Sequence, residues 1–234
     1  ISWHSNSRTI FCASSRQVKV FAVKVDSSKK ISVVEQRHFE HGFLTPPHTA
    51  AFAESTGRAI VAASNGLGND RSITIFHPRD GAILGKLRPS HGANKACAVS
   101  NDGMLFAACG DSAEVAVHAI KMDREGNFIK IVEKAMKLNG VHSKHVENIS
   151  FGPHSSDVAH GLSDRVATVC GGGLVALWDV GVNWQNGADA KKLSTKNLDG
   201  TKLRAVAISR DGFTIAVASD EILWLLDAHR DGEL

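Results

Sequence analysis

Internal repetition constrains this chain more than any other feature, because a self-similar unit must fold as one small structure that stacks on copies of itself. The unit is an apolar stretch, a polar turn ending in glycine, a second apolar stretch ending in small residues, a tight turn and a third apolar stretch. It reads Ala50-Ala-Phe-Ala-Glu-Ser-Thr-Gly57, Ala59-Ile-Val-Ala-Ala-Ser64, Ser72-Ile-Thr-Ile-Phe76. It recurs as Ala96-Cys-Ala-Val-Ser-Asn-Asp-Gly103, Met104-Leu-Phe-Ala-Ala-Cys109, Glu114-Val-Ala-Val-His118. It recurs again as Ala205-Val-Ala-Ile-Ser-Arg-Asp-Gly212, Phe213-Thr-Ile-Ala-Val-Ala-Ser219, Ile222-Leu-Trp-Leu-Leu-Asp227. A copy with a degenerate turn lies between them: His145-Val-Glu-Asn-Ile-Ser-Phe-Gly-Pro153, Arg165-Val-Ala-Thr-Val-Cys170, Leu174-Val-Ala-Leu-Trp-Asp179. An earlier copy is Thr9-Ile-Phe-Cys-Ala-Ser14 with Val18-Lys-Val-Phe-Ala-Val-Lys24.

The runs are too short for helices, rich in Val, Ile and Phe, and bounded by Gly, Asp, Asn and Ser, so they read as strands. A more polar fourth strand follows, as in Ile31-Ser-Val-Val-Glu-Gln-Arg37 and Phe128-Ile-Lys-Ile-Val-Glu-Lys134. Four strands in a unit of roughly 40–45 residues make a propeller blade, and blades bury their faces only by stacking around an axis. The expectation is one all-β domain over 1–234, with blades near 1–40, 41–90, 91–140, 141–200 and an incomplete 201–234. Two polar stretches, Lys121 to Asn127 and Gly181 to Gly200, read as surface loops.

Composition narrows the function classes. A net charge of +3 with 22% charged residues does not mark a dedicated nucleic-acid binder. No run of 18 apolar residues occurs, so no segment of the chain is expected to span a membrane. Cys12, Cys97, Cys109 and Cys170 form no CxxC pair. Cys12, Cys109 and Cys170 each close a similar apolar run and read as small buried side chains at one repeated site, which fits an intracellular, reducing compartment.

Leu177-Trp178-Asp179 is the Trp-Asp pair that closes a third strand, and Gly140-Val-His142 upstream is a loosened Gly-His pair. On these motifs the chain resembles WD40-repeat proteins. Such a histidine often bonds an aspartate in the turn between the second and third strands; here the turn position, six residues before Trp178, is Gly172. Turn aspartates stand elsewhere, at Asp70, Asp111 and Asp220. The stretch Cys97 to Gly110 with Val115–His118, Lys121–Leu138 and Val175-Ala-Leu-Trp-Asp-Val180 is similar to the transducin beta-like members of that family. The resemblance implies a seven-bladed ring, of which about five blades are covered here. It also implies a scaffold on the cytosolic face of the endoplasmic reticulum, anchored by an N-terminal segment. Its implied partner is a stress kinase that acts on a translation initiation factor.

No constellation argues for chemistry. His142-Ser-Lys-His145 has no cysteine pair or carboxylate at zinc spacing. Gly171-Gly-Gly173 lacks a following Lys-Ser/Thr and sits between strands, so it reads as a hairpin. Gly66-Leu-Gly68 fails as a dinucleotide fingerprint because Arg71 takes the third glycine position. Asn148-Ile-Ser150 falls inside a strand. The expected function is a non-catalytic interaction scaffold, with no catalytic, cofactor or metal residues and no cofactor. The alternative is an RNA- or ribosome-associated module, motivated by the lysine-bearing Lys191–Lys202 stretch. The lysines at 121, 130, 134, 137 and 144 read as a solvated face.

Overall fold

A computed structural model describes residues 2–3, 9–14, 17–40, 47–52, 60–64, 72–77, 80–88, 94–100, 103–124, 128–153, 165–181, 188–198, 200–209 and 211–228. Asp70 and Gly66–Gly68 lie outside them. Every regular element among them is a strand, and the strands form five antiparallel sheets in chain order.

Blade 1 holds β1 (Ser2–Trp3), β2 (Thr9–Ala13), β3 (Gln17–Val25) and β4 (Ile31–Glu40). Blade 2 holds β5 (Pro47–Phe52), β6 (Ile60–Ser64), β7 (Ile73–Phe76) and β8 (Ile83–Leu87). Blade 3 holds β9 (Asn94–Val99), β10 (Leu105–Gly110), β11 (Val115–Met122) and β12 (Phe128–Leu138). Blade 4 holds β13 (Val146–Phe151), β14 (Arg165–Cys170), β15 (Leu174–Asp179) and β16 (Lys191–Asn197). Blade 5 has three strands, β17 (Ala205–Ile208), β18 (Thr214–Ala218) and β19 (Leu223–Asp227).

The first strands of neighbouring blades lie side by side, β5 against β9, β9 against β13 and β13 against β17, so the innermost row is built from one strand per blade. Side chains above and below each sheet then meet those of the next sheet. Ala96, Leu105, Val117 and Met136 of blade 3 pack with Ile149, Val166, Ala176 and Trp178 of blade 4. Ala167, Val169, Val175 and Leu177 of blade 4 pack with Leu203, Val206, Ile215 and Val217 of blade 5. Blade 2 meets blade 3 through Ile73, Ile75, Cys97, Phe106 and Ile120, and blade 1 meets blade 2 through Phe11, Val18, Val20 and Phe76. Among the described residues, no contact of comparable extent joins blade 5 to blade 1.

Two expectations need correction. The polar run from Gly181 to Gly200 is not all loop: Lys191–Asn197 is β16, paired along β15 from Asp179 to Leu174. An outermost strand has solvent on its free edge and needs few apolar residues, so its pattern was invisible. In the other stretch, Lys121 and Met122 close β11. The cysteines also do not share one site. Cys109 points with Leu105 and Ala107 into the cluster between blades 3 and 4, whereas in blade 4 it is Ala167 and Val169, not Cys170, that point toward the next blade. None of the four is in a disulfide, and Cys12 is only half-buried.

The mouth of the blade stack as a candidate functional site

In an antiparallel blade, the start of the first strand and the turn between the second and third strands lie at the same end. At that end of blades 3 to 5 the sequence places a charged or polar residue just before or within the first turn of each apolar run. Lys95 is the second residue of β9, His145 and Glu147 flank the start of β13, and Arg204 precedes β17.

These groups form a bonded chain across blades 3 and 4, and an ion pair within blade 5 whose arginine feels the charge of Glu147. The Lys95 ammonium donates to Glu147 Oε1 at 3.1 Å and lies 3.8 Å from Asp111 Oδ1 in the β10–β11 turn. His145 Nε2 is 2.7 Å from the same Glu147 oxygen. Arg204 grips Asp220 of the β18–β19 turn with two nitrogens, Nε to Oδ1 at 3.0 Å and Nη2 to Oδ2 at 3.1 Å. Burial works to raise the Glu147 carboxyl, but hydrogen bonds from Lys95 and His145 outweigh it and hold the group below its ordinary range. The Arg204 bonds do the same for Asp220. Asp111 and Asp220 therefore do occupy blade turns, as expected, and each meets a cation at the start of the innermost strand. Backbone contacts fix the same geometry: Val146 N–H donates to Ser112 O at 3.0 Å, and Ile208 N–H to Ser150 Oγ at 3.2 Å.

The β14–β15 turn, Gly171-Gly-Gly173, forms the floor between blades 4 and 5. Gly173 has φ +86°, and a Cβ there would come within 2.8 Å of the Gly200 backbone nitrogen. Only glycine fits both demands. A Cβ on Gly171 would sit 2.8 Å from His145 Nε2. This is a hairpin turn between strands, as the sequence indicated.

Behind the floor lies a buried polar relay. Trp178, 2% exposed, donates its indole N–H to Thr168 Oγ1 at 2.8 Å, and Thr168 Oγ1 is 2.7 Å from His142 Nε2. The Thr168 hydroxyl thus joins the indole N–H, from which it accepts, to the imidazole Nε2. Nδ1 has no partner among the described residues. Gly172 stands where a turn aspartate would supply one. The relay thus survives without the carboxylate, and burial pushes the His142 imidazole down to about 4. Thr168 was missed by sequence reasoning, because one hydroxyl inside Arg-Val-Ala-Thr-Val-Cys resembles any strand threonine. His142 and His145 do not converge on a metal: one bonds Thr168 and the other Glu147. The described residues contain no group of three His, Cys, Asp or Glu side chains that could hold an ion. The buried Cys109 thiol is raised by desolvation, which suits packing rather than nucleophilic work.

Sheets of this size and order, with a Trp-Asp pair closing the third strand and its indole bonded back into the blade, define an all-β fold of WD40-type propeller blades. The sequence is similar to Transducin beta-like protein 2 of Homo sapiens, 28% identical over 179 residues, which is 75% of this chain and 37% of that protein. The chain therefore spans little more than a third of the length of the curated relative it matches. No family model matches.

Proposed function

We propose that this chain is a non-catalytic scaffold that holds protein partners at the mouth of its blade stack. The observation that carries this reading is the chain of side chains from Asp111 through Lys95, Glu147 and His145, with Arg204 and Asp220 beside it. Three blades contribute to one polar surface, and its acidic groups are committed to neighbouring cations. Such a surface suits recognition, where charges steer and register a partner. The likeness to a WD40 relative supports the same class. By that resemblance the setting is the cytosolic face of the endoplasmic reticulum, and the partner is a stress kinase acting on a translation initiation factor.

Cross-linking of the intact protein in cells, read by mass spectrometry, tests the proposal. Reproducible protein partners joined through Lys95, Lys144 or Lys202 are expected. Cross-links to RNA alone, or none above background at this face, would overturn it. Separation of membranes tests the compartment: recovery away from the endoplasmic reticulum would remove that part of the reading.

A further inference from the structure

We draw no further inference here: the strongest candidate, the apolar face that Leu223 and Leu225 of β19 turn away from blade 4, carries none because nothing in the structure shows what covers it.

Discussion

Blades 4 and 5 carry nearly the same third strand and live in opposite surroundings. Leu177 pairs with Ala167 two residues before Asp179, and Leu225 pairs with Ala216 two residues before Asp227. Leu177 is 0% exposed and Leu225 is 69% exposed. Val175 and Leu223 differ in the same way. One pattern of side chains is a core in blade 4, because blade 5 covers it, and an apolar surface in blade 5. The difference teaches that a blade does not own its core; burial belongs to the junction between two sheets. The opposite end of the stack also exposes apolar side chains, but beside a cluster of charged and polar groups. Beside the exposed Val25, Ile31 and Val33, blade 1 carries a Lys19–Glu35–His38 cluster, with Glu35 2.8 Å from the Lys19 ammonium and 2.9 Å from His38 Nδ1.

The largest effect that would test this contrast is at the blade 3–blade 4 junction. Trp178→Ala removes a side chain buried between two sheets and takes the indole donor from Thr168. It should cost about 3–5 kcal/mol in chemical denaturation. Loss of less than about 1 kcal/mol would mean that the junctions contribute little, and the contrast with blade 5 would lose its energetic meaning.

A second effect comes from the same junction and depends on pH. His142 is held at about 4 by burial, against an ordinary 6.5. Above the ordinary value, both the folded and unfolded imidazole are neutral and its contribution to stability is whole. As pH falls from 6.5 toward 4, the unfolded chain takes up a proton that the folded chain refuses, so stability declines. Below 4 both forms are charged and the loss is complete. The ceiling is roughly 3 kcal/mol at 1.36 kcal/mol per pH unit. His142→Asn should flatten the difference between melts at neutral and mildly acidic pH; an unchanged slope would place the titration elsewhere.

Much of the fold was legible, because strands such as β7, β10, β14 and β15 bury both faces and so must be apolar. The fourth strand of a blade was legible only where it carried Ile and Val, as in Ile31–Arg37; Lys-Lys-Leu-Ser-Thr-Lys-Asn of β16 shows no pattern, since only Leu193 among these side chains packs into an apolar cluster. At the site, Trp178 and His142 announced themselves as a motif, and the missing turn carboxylate at Gly172 was visible. The Lys95–Glu147 pair was not: the two residues are 52 apart, and opposite charges that far apart carry no local signature. A usable signal existed in their equivalent places. Each stands at the head of the first strand of its repeat, where a charge interrupts an otherwise apolar run.

The third test repairs what blade 4 lacks. Gly172 has room for a side chain, its nearest neighbours lying 3.4 Å from a built Cβ. Gly172→Asp should offer His142 Nδ1 the acceptor it has no partner for, adding about 1 kcal/mol. The same carboxylate favours the imidazolium, so the pH slope between 6.5 and 4 should also become shallower. A lower melting temperature with the slope unchanged would show that the turn cannot bring the carboxylate to Nδ1.

The smallest effect is the most direct on the comparison. Leu225→Ala removes the same atoms as Leu177→Ala, from the same place in an equivalent sheet. If burial resides in the junction, Leu177→Ala costs about 2–5 kcal/mol. Leu225→Ala, with its side chain mostly in water, should change stability by less than about 0.5 kcal/mol. Light scattering adds an independent reading, because Leu223 and Leu225 together make an exposed apolar strip, and such strips promote association. Replacing both with Lys should reduce concentration-dependent scattering and leave the melting temperature nearly unchanged. A cost above about 1 kcal/mol for Leu225→Ala would mean that this face is covered in solution. Blade 5 would then resemble blade 4 in its energetics as well as in its sequence.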